Sequence, residues 1–471
     1  MNHGLVLISP VILVRVLSVQ DFGRYREFLL YSGLAVTIAA FGINSSLLRF
    51  VPGDPRAGWR FVNQAILMTL ATSTLVVAGM LALDALLGGR LVGEYAFVVA
   101  LYVFLYVNLD FWESLWLAEK ESFAVLRYST ARLTARIVVA TTSAVLTRDV
   151  WVIIWSLIGL EAVRLTLSFV GWRHRQRRLG NGGPPRWREQ IEYCLPFGVA
   201  LISVGLNRSL GSIFVAKLLG PVALAHYAIG TYLQPVISVI RNSISDVVLP
   251  EMISDQKGGA AADPLKLWRR TTVVTAILLV AIGVLLARFA DILVVTLFSE
   301  AYRPAVILFQ IYVLVFLREA LDFSVPLRAK SRTAPIMRSN LIAIVCNAAL
   351  MLALMPVLGS VGAVISLVAA RFVEGAYLAV QMARAYEIPM RALAPWKDLA
   401  KVLAAAALAA VPLYGEFWMV QLGLAGAVIG GIVFGLLFAG LLVLFAVSEA
   451  RLFAQLWHTA TASLSGVRHR S

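Results

Sequence analysis

Arg132 and Arg136 stand one helical turn apart in a segment that is otherwise mostly apolar or small, and Ser129 and Ser143 extend their polar stripe. The apolar segment before it, which must run the other way, carries Asp110 and Glu113, also one turn apart. At about 1.5 Å rise per residue, Asp110 falls level with Arg132 and Glu113 with Arg127. Two kinds of chemistry follow. Level carboxylates and guanidinium groups pair and lock neighbouring helices together. A guanidinium left without a carboxylate stays charged and presents a planar fork of donors that matches phosphate oxygens. Arg136 has no acidic residue at its level in the preceding segment. Arg15, Arg208 and Arg241 likewise have none one turn away on their own segments. Elsewhere the spacing predicts self-pairing within a helix: Glu161 with Arg164, Arg318 with Asp322, and Arg371 with Glu374.

These charges sit in a chain that must place them in a membrane. Of its 471 residues 60% are hydrophobic and only 14% charged, against about 25% charged in ordinary soluble domains. Windows of about 20 apolar residues, enough to cross a bilayer, recur along the sequence. They fall near 4–17, 27–48, 61–84, 93–117, 123–146, 150–172, 191–218, 222–249, 268–287, 304–326, 335–356, 360–383, 398–414 and 421–447. The first is short and lacks the small-residue cleavage site of a secretory signal. The formal charge of +15 concentrates in alternate loops, which places those loops and both termini in the cytoplasm. An ionisable group inside such a span costs at least about 2.5–3.5 kcal/mol and must face protein or water. Cys194 and Cys346 both fall within spans, so no disulfide framework is implied.

The densest basic run is 173–190, whose glycines and prolines forbid a continuous helix. Between membrane spans it reads as a cytoplasmic hinge rather than a nucleic-acid site. On either side the chain repeats itself weakly: the segment from Val16 to Tyr25 resembles that from Leu218 to Tyr227, each followed one span later by a proline, Pro52 or Pro250. The organisation expected is an N-terminal six-helix bundle over 1–172, the basic connector over 173–190 and a C-terminal six-helix bundle over 191–384. A loop over 385–397, two further transmembrane helices within 398–447 and a cytoplasmic tail over 448–471 complete it. The fold class is therefore all-α: a polytopic membrane protein of about fourteen transmembrane helices, with two pseudo-symmetric bundles. Gly426, Gly430, Gly431 and Gly435 in the last span suit close helix packing.

Several local patterns together resemble the bacterial lipid-linked oligosaccharide flippases of the Wzx type. These share a superfamily with multidrug exporters and peptidoglycan-precursor flippases. The patterns are Val14-Arg15-Val16-Leu17-Ser18 with Phe22-Gly23-Arg24-Tyr25, Leu218-Leu219-Gly220-Pro221, Leu297-Phe298-Ser299-Glu300-Ala301-Tyr302, and the turn from Met355 to Ala363. The first span is shorter than that pattern, and Gly211 stands where it has an acidic residue, so no coupling role is carried to Gly211. The resemblance implies outward flipping of an isoprenoid-diphosphate-linked oligosaccharide by alternating access in the inner membrane. The partners it implies are that glycan lipid, the bilayer, and polysaccharide polymerase and assembly proteins, with no nucleic acid.

Arg15, Arg132, Arg136, Arg208 and Arg241 are then the expected diphosphate-binding residues. Asp110, Glu113 and Glu161 are expected either to couple ions or to pair structurally. Proton, sodium or the membrane potential would drive the cycle; no cofactor is expected. The sequence contains no phosphate-binding loop for its own ATPase, no zinc motif and only scattered histidines, so no catalytic or metal site is assigned. A cation-coupled drug exporter of the same superfamily is the first rival, and it calls for acids rather than arginines to dominate the cavity. A membrane glycan polymerase or ligase is the second, and the short outer loops leave such an enzyme little room.

Overall fold

The computed structural model describes residues 3–52, 55–257, 265–415 and 423–447; the predicted tail at 448–471 lies outside the described residues. Among the described residues the regular secondary structure is helical throughout. The predicted windows fall mostly on helix, two of them broken near 108–111 and 320–323, and among the described residues seven helices are individually long and apolar enough to cross a membrane, or eight if a bent pair at 19–50 is one span. The chain packs as two compact units, 1–228 and 229–471.

The first unit contains α1 (His3–Val16), α2 (Val19–Ala40), α3 (Pro55–Leu86), α4 (Ala96–Val107), α5 (Trp112–Ala118), α6 (Ser122–Thr147), α7 (Val150–Leu179) and most of α8 (Trp187–Gly230). Ser18 starts α2 by accepting the Asp21 amide at 3.0 Å, and Asp149 starts α7 through the Trp151 amide at 2.8 Å. With 44 residues, α8 would exceed about 60 Å, twice the hydrocarbon thickness of a bilayer. It is two helices joined at Gly220, whose φ of 79° suits glycine. Just beyond that kink α2 and α8 come so close that a Cβ on Gly23 would lie 2.0 Å from the Pro221 carbonyl oxygen. The core packs Trp59, Phe111, Leu115, Val62 and Ile43. Lipid tails are as apolar as these side chains, so close packing rather than escape from water favours the arrangement.

The second unit contains α9 (Gln234–Lys257), α10 (Lys266–Arg288), α11 (Ala290–Phe298), α12 (Ala305–Val313), α13 (Val315–Glu319), α14 (Ser324–Ala329), α15 (Ala334–Tyr386), α16 (Trp396–Ala410) and α17 (Gly423–Leu444). The 53-residue α15 is again two helices, joined at Gly359 with φ 55°. Val402, Ala405, Ala406 and Ala409 of α16 pack with Phe434 and Phe438 of α17 against α10. The glycines predicted to bring α17 against a neighbour do not all do so: a Cβ on Gly431 or Gly435 would meet nothing within 4 Å.

The packing boundary at 228/229 differs from the predicted connector at 173–190. The reason is that the connector is tied down. Arg173 to Leu179 are the last turns of α7, and Gly180, with φ 68°, ends it. Gly182 lies so near α3 that a Cβ would be 2.4 Å from the Arg60 nitrogen. The Arg186 amide donates to Gln64 at 2.9 Å, and buried Gln190 donates to Ser46 at 2.8 Å. The α8 helix then packs on the first unit through Gly198, where a Cβ would lie 2.5 Å from the Phe41 carbonyl. Cys194 and Cys346 are free.

Candidate functional site

The predicted charges gather where an apolar helix breaks. The α4 helix ends at Val107 and α5 begins at Trp112, with Leu109 between them at φ 54°. A break at this depth leaves the last carbonyls of α4 without helical partners, which is tolerable only inside protein. Arg164 of α7 satisfies them. Its Nη2 donates to the carbonyls of Tyr106 at 3.0 Å and Asn108 at 3.1 Å, and to that of Leu105. The cation also faces the negative end of the α4 dipole. Its Nε donates to Glu161 at 2.6 Å, the predicted pairing within α7.

Asp110, in the break, accepts from Arg132 Nη1 at 2.6 Å, confirming the depth match made from sequence. Arg132 also lies 3.8 Å from Glu161, and its guanidinium sits 4.5 Å from the Tyr106 ring centroid. Asp110, Arg132, Glu161 and Arg164 thus form one network of two anions and two cations. Glu113 accepts from Ser129 at 2.9 Å, where Arg127 was the predicted partner. A cavity of about 430 Å³ between α5, α6 and α7 is lined by Trp112, Trp116, Tyr128, Arg132, Glu161 and Arg164 among others.

Arg136 differs from Arg132. Among the described residues it pairs with no carboxylate; its guanidinium lies 6.0 Å from the Tyr102 ring centroid. Arg208, on α8, is exposed and among the described residues has no hydrogen-bond or ion-pair partner. Arg15 is exposed near the end of α1.

Arg241 requires a correction. It pairs with Glu319 of α13 at 3.0 Å, a partner on another helix that a search within its own helix overlooks. The level-matching that paired Asp110 with Arg132 is the sequence signal that reaches Glu319. The expected Arg318–Asp322 pair is also absent. The helix breaks between Glu319 and Ser324, so a four-residue spacing no longer brings the side chains together. Arg318 instead donates to the Arg371 carbonyl at 3.2 Å and lies 3.9 Å from Glu374. Gly375 admits it, since a Cβ there would lie 2.5 Å from its Nε. Asp322 accepts from Ser245 at 3.0 Å and from the Ser324 hydroxyl at 2.6 Å. The Arg371–Glu374 pair forms as expected, at 3.1 Å. The cavity beside Arg241 and Asp322 is only about 20 Å³, room for about one water.

Outside the spans, burial pushes the Glu119 carboxyl up from its ordinary value, opposed by the Arg175 guanidinium paired with it. No group of three or more histidine, cysteine, aspartate or glutamate residues suited to a metal occurs among the described residues.

Comparison with known proteins is consistent with this architecture. The fold is similar to that of the lipid II flippase MurJ in an inward closed conformation: TM-score 0.67, 14% identity, 96% of this chain and 98% of that one covered. It is also similar to an inward-facing multidrug resistance MATE family transporter of the MOP superfamily, with TM-score 0.59, 13% identity, and 82% of this chain and 94% of that one covered. Both neighbours are a flippase or a transporter rather than an enzyme. A comparison with curated protein sequences finds no match. The family model described as "Polysaccharide biosynthesis protein" matches residues 12–307, more than half of the chain, and this multi-pass membrane protein belongs to that family.

Proposed function

We propose that the protein flips an isoprenoid-diphosphate-linked oligosaccharide, the repeat unit of an O-antigen, capsule or exopolysaccharide, from the cytoplasmic to the outer leaflet of the inner membrane. Both termini then lie in the cytoplasm, and the cycle is one of alternating access. The observation that carries this reading is Arg136, a cation within the first unit that lies 6.0 Å from the Tyr102 ring centroid and has no carboxylate partner among the described residues. A guanidinium in that setting is neutralised best by an anion from outside the protein, and its fork suits phosphate. Arg208 and Arg15, exposed on α8 and α1, supply further charge along the way. Arg132 and Arg241 are paired with Asp110 and Glu319, which offsets their charge; Arg132 Nη2, without a hydrogen-bond partner among the described residues, is the donor they leave for phosphate.

A head group of about two negative charges is helped outward by the membrane potential, by about 2.3 kcal/mol per charge per 100 mV. Proton or sodium coupling would act through Asp110 and Glu161, whose ion pairs break on protonation, with Glu113 beside them. Arg136→Gln and Arg208→Gln, made singly and together, test the proposal in a strain lacking the native gene. Loss of surface glycan with normal protein in the membrane is expected. Full export from the double variant refutes it, and efflux of cationic dyes without any glycan defect gives the drug-exporter reading instead.

A further inference from the structure

Helix α7 presents an exposed ridge of Val163, Leu167 and Val170 with a crevice on either side. One crevice, about 430 Å³, is the cavity described above: it takes Val163, Leu167 and Gly171 of α7 with Trp112 and Ala131 on its other walls, and Arg132, Glu161 and Arg164 border it. The second, also about 430 Å³, takes Leu165, Phe169 and Trp172 with Leu70 and Phe104. Both volumes fall in the range of about 300–1,000 Å³ typical of small-molecule sites. The first crevice follows α7 from Leu160 to Gly171, about 16 Å at 1.5 Å per residue. That is the depth of one leaflet, half of the hydrocarbon thickness of about 30 Å.

Immediately beyond both crevices the same helix carries Arg173, Arg177 and Arg178, all exposed. Helical spacing divides these arginines between the crevices. Arg173 and Arg177 continue the face of Phe169, and Arg178 lies seven residues on from Gly171. Among the described residues none of the three has a hydrogen-bond or ion-pair partner, whereas Arg175 between them pairs with Glu119. A leaflet-deep apolar slot topped by unneutralised cations has the polarity of a phospholipid: chain below, phosphate at the interface.

We propose that α7 seats an anionic phospholipid of the bilayer, its phosphate held by Arg173, Arg177 and Arg178 and its acyl chains lying in the flanking crevices. It makes the lipid a structural partner of the helix that carries Glu161 and Arg164, which border the first crevice.

The full chain, purified in mild detergent and examined by native mass spectrometry with added phosphatidylglycerol or phosphatidylethanolamine, tests this. The native protein should retain phosphatidylglycerol preferentially. Each basic residue at an anionic interface is worth about fivefold in affinity, so Arg173→Gln/Arg177→Gln/Arg178→Gln should abolish the preference while leaving weak retention of both lipids. Ala131→Phe, which fills one crevice and leaves the arginines in place, should lower retention of both. Equal retention of the two lipids by the native protein overturns the proposal. So does an undiminished preference in the triple-glutamine variant, or unchanged retention when the crevice is filled.

Discussion

Both halves of the chain break their fourth apolar segment beside an aspartate, and they answer that aspartate differently. Asp110 meets a guanidinium, Arg132 at 2.6 Å, while Asp322 meets hydroxyls, Ser324 at 2.6 Å and Ser245 at 3.0 Å. The carbonyls freed by the first break are taken up by Arg164. Near the second, Arg318 donates to Leu321 and Arg371 carbonyls. The first break borders a cavity of about 430 Å³, the second one of about 20 Å³. A closed site can hold an aspartate with short neutral donors. An open one holds it with a second helix's charge, and that charge extends the polar stripe on which Arg136 stands. The two halves therefore share a backbone solution but divide the chemistry: the second is packed shut, and the first keeps charge beside open space.

The contrast can be broken by substitution, with thermal stability of the detergent-solubilised protein as the readout. Arg164→Met should have the largest effect, about 3–5 kcal/mol, because it strands buried Glu161 together with the α4 carbonyls. Its counterpart Arg318→Met should cost less, about 1.5–3 kcal/mol, since Glu374 keeps Arg371 at 3.1 Å. Equal losses would mean that the two breaks are held alike. Asp110→Asn removes the charge facing Arg132, but Glu161 remains 3.8 Å away; a loss of about 1.5–3 kcal/mol is expected. Asp322→Asn keeps an acceptor for one of the two serines, which donate to different carboxylate oxygens, and the other hydroxyl can turn to accept from the new amide; a loss of only about 1 kcal/mol is expected. If Asp322→Asn proved the more damaging of the two, the division into charge-held and hydroxyl-held breaks would be wrong. Ser245→Ala should have the smallest effect, about 0.5–1.5 kcal/mol.

Much of this was legible from residue spacing, and the failures have physical causes. Three- and four-residue spacings predicted Glu161–Arg164 and Arg371–Glu374 correctly because those stretches stay helical. The same rule failed for Arg318 and Asp322 because the helix does not continue between them. Matching depth across antiparallel neighbouring spans found Asp110 and Arg132; extended to spans that run the same way, such as those holding α9 and α13, it would have found Arg241 and Glu319. The role of Arg164 toward the broken α4 was hidden, since carbonyl acceptors carry no mark in a sequence. Asn108, Leu109 and Asp110, a polar patch inside an apolar window, were the one hint of the break. The connector's composition predicted an interruption after α7, and one occurs at Gly180. Its attachment to α3 depends on close backbone approach at Gly182, which composition does not encode.

The central claim is that an arginine without a carboxylate partner, rather than the paired ones, receives the diphosphate. Binding of a short-chain isoprenoid diphosphate to the purified protein tests it most directly, comparing the native chain with Arg136→Gln, Arg136→Lys and Asp322→Asn. The account predicts at least about a tenfold loss for Arg136→Gln, the worth of one charge-assisted hydrogen-bonded contact, partial recovery in Arg136→Lys, and native affinity in Asp322→Asn. Native affinity in Arg136→Gln would contradict it.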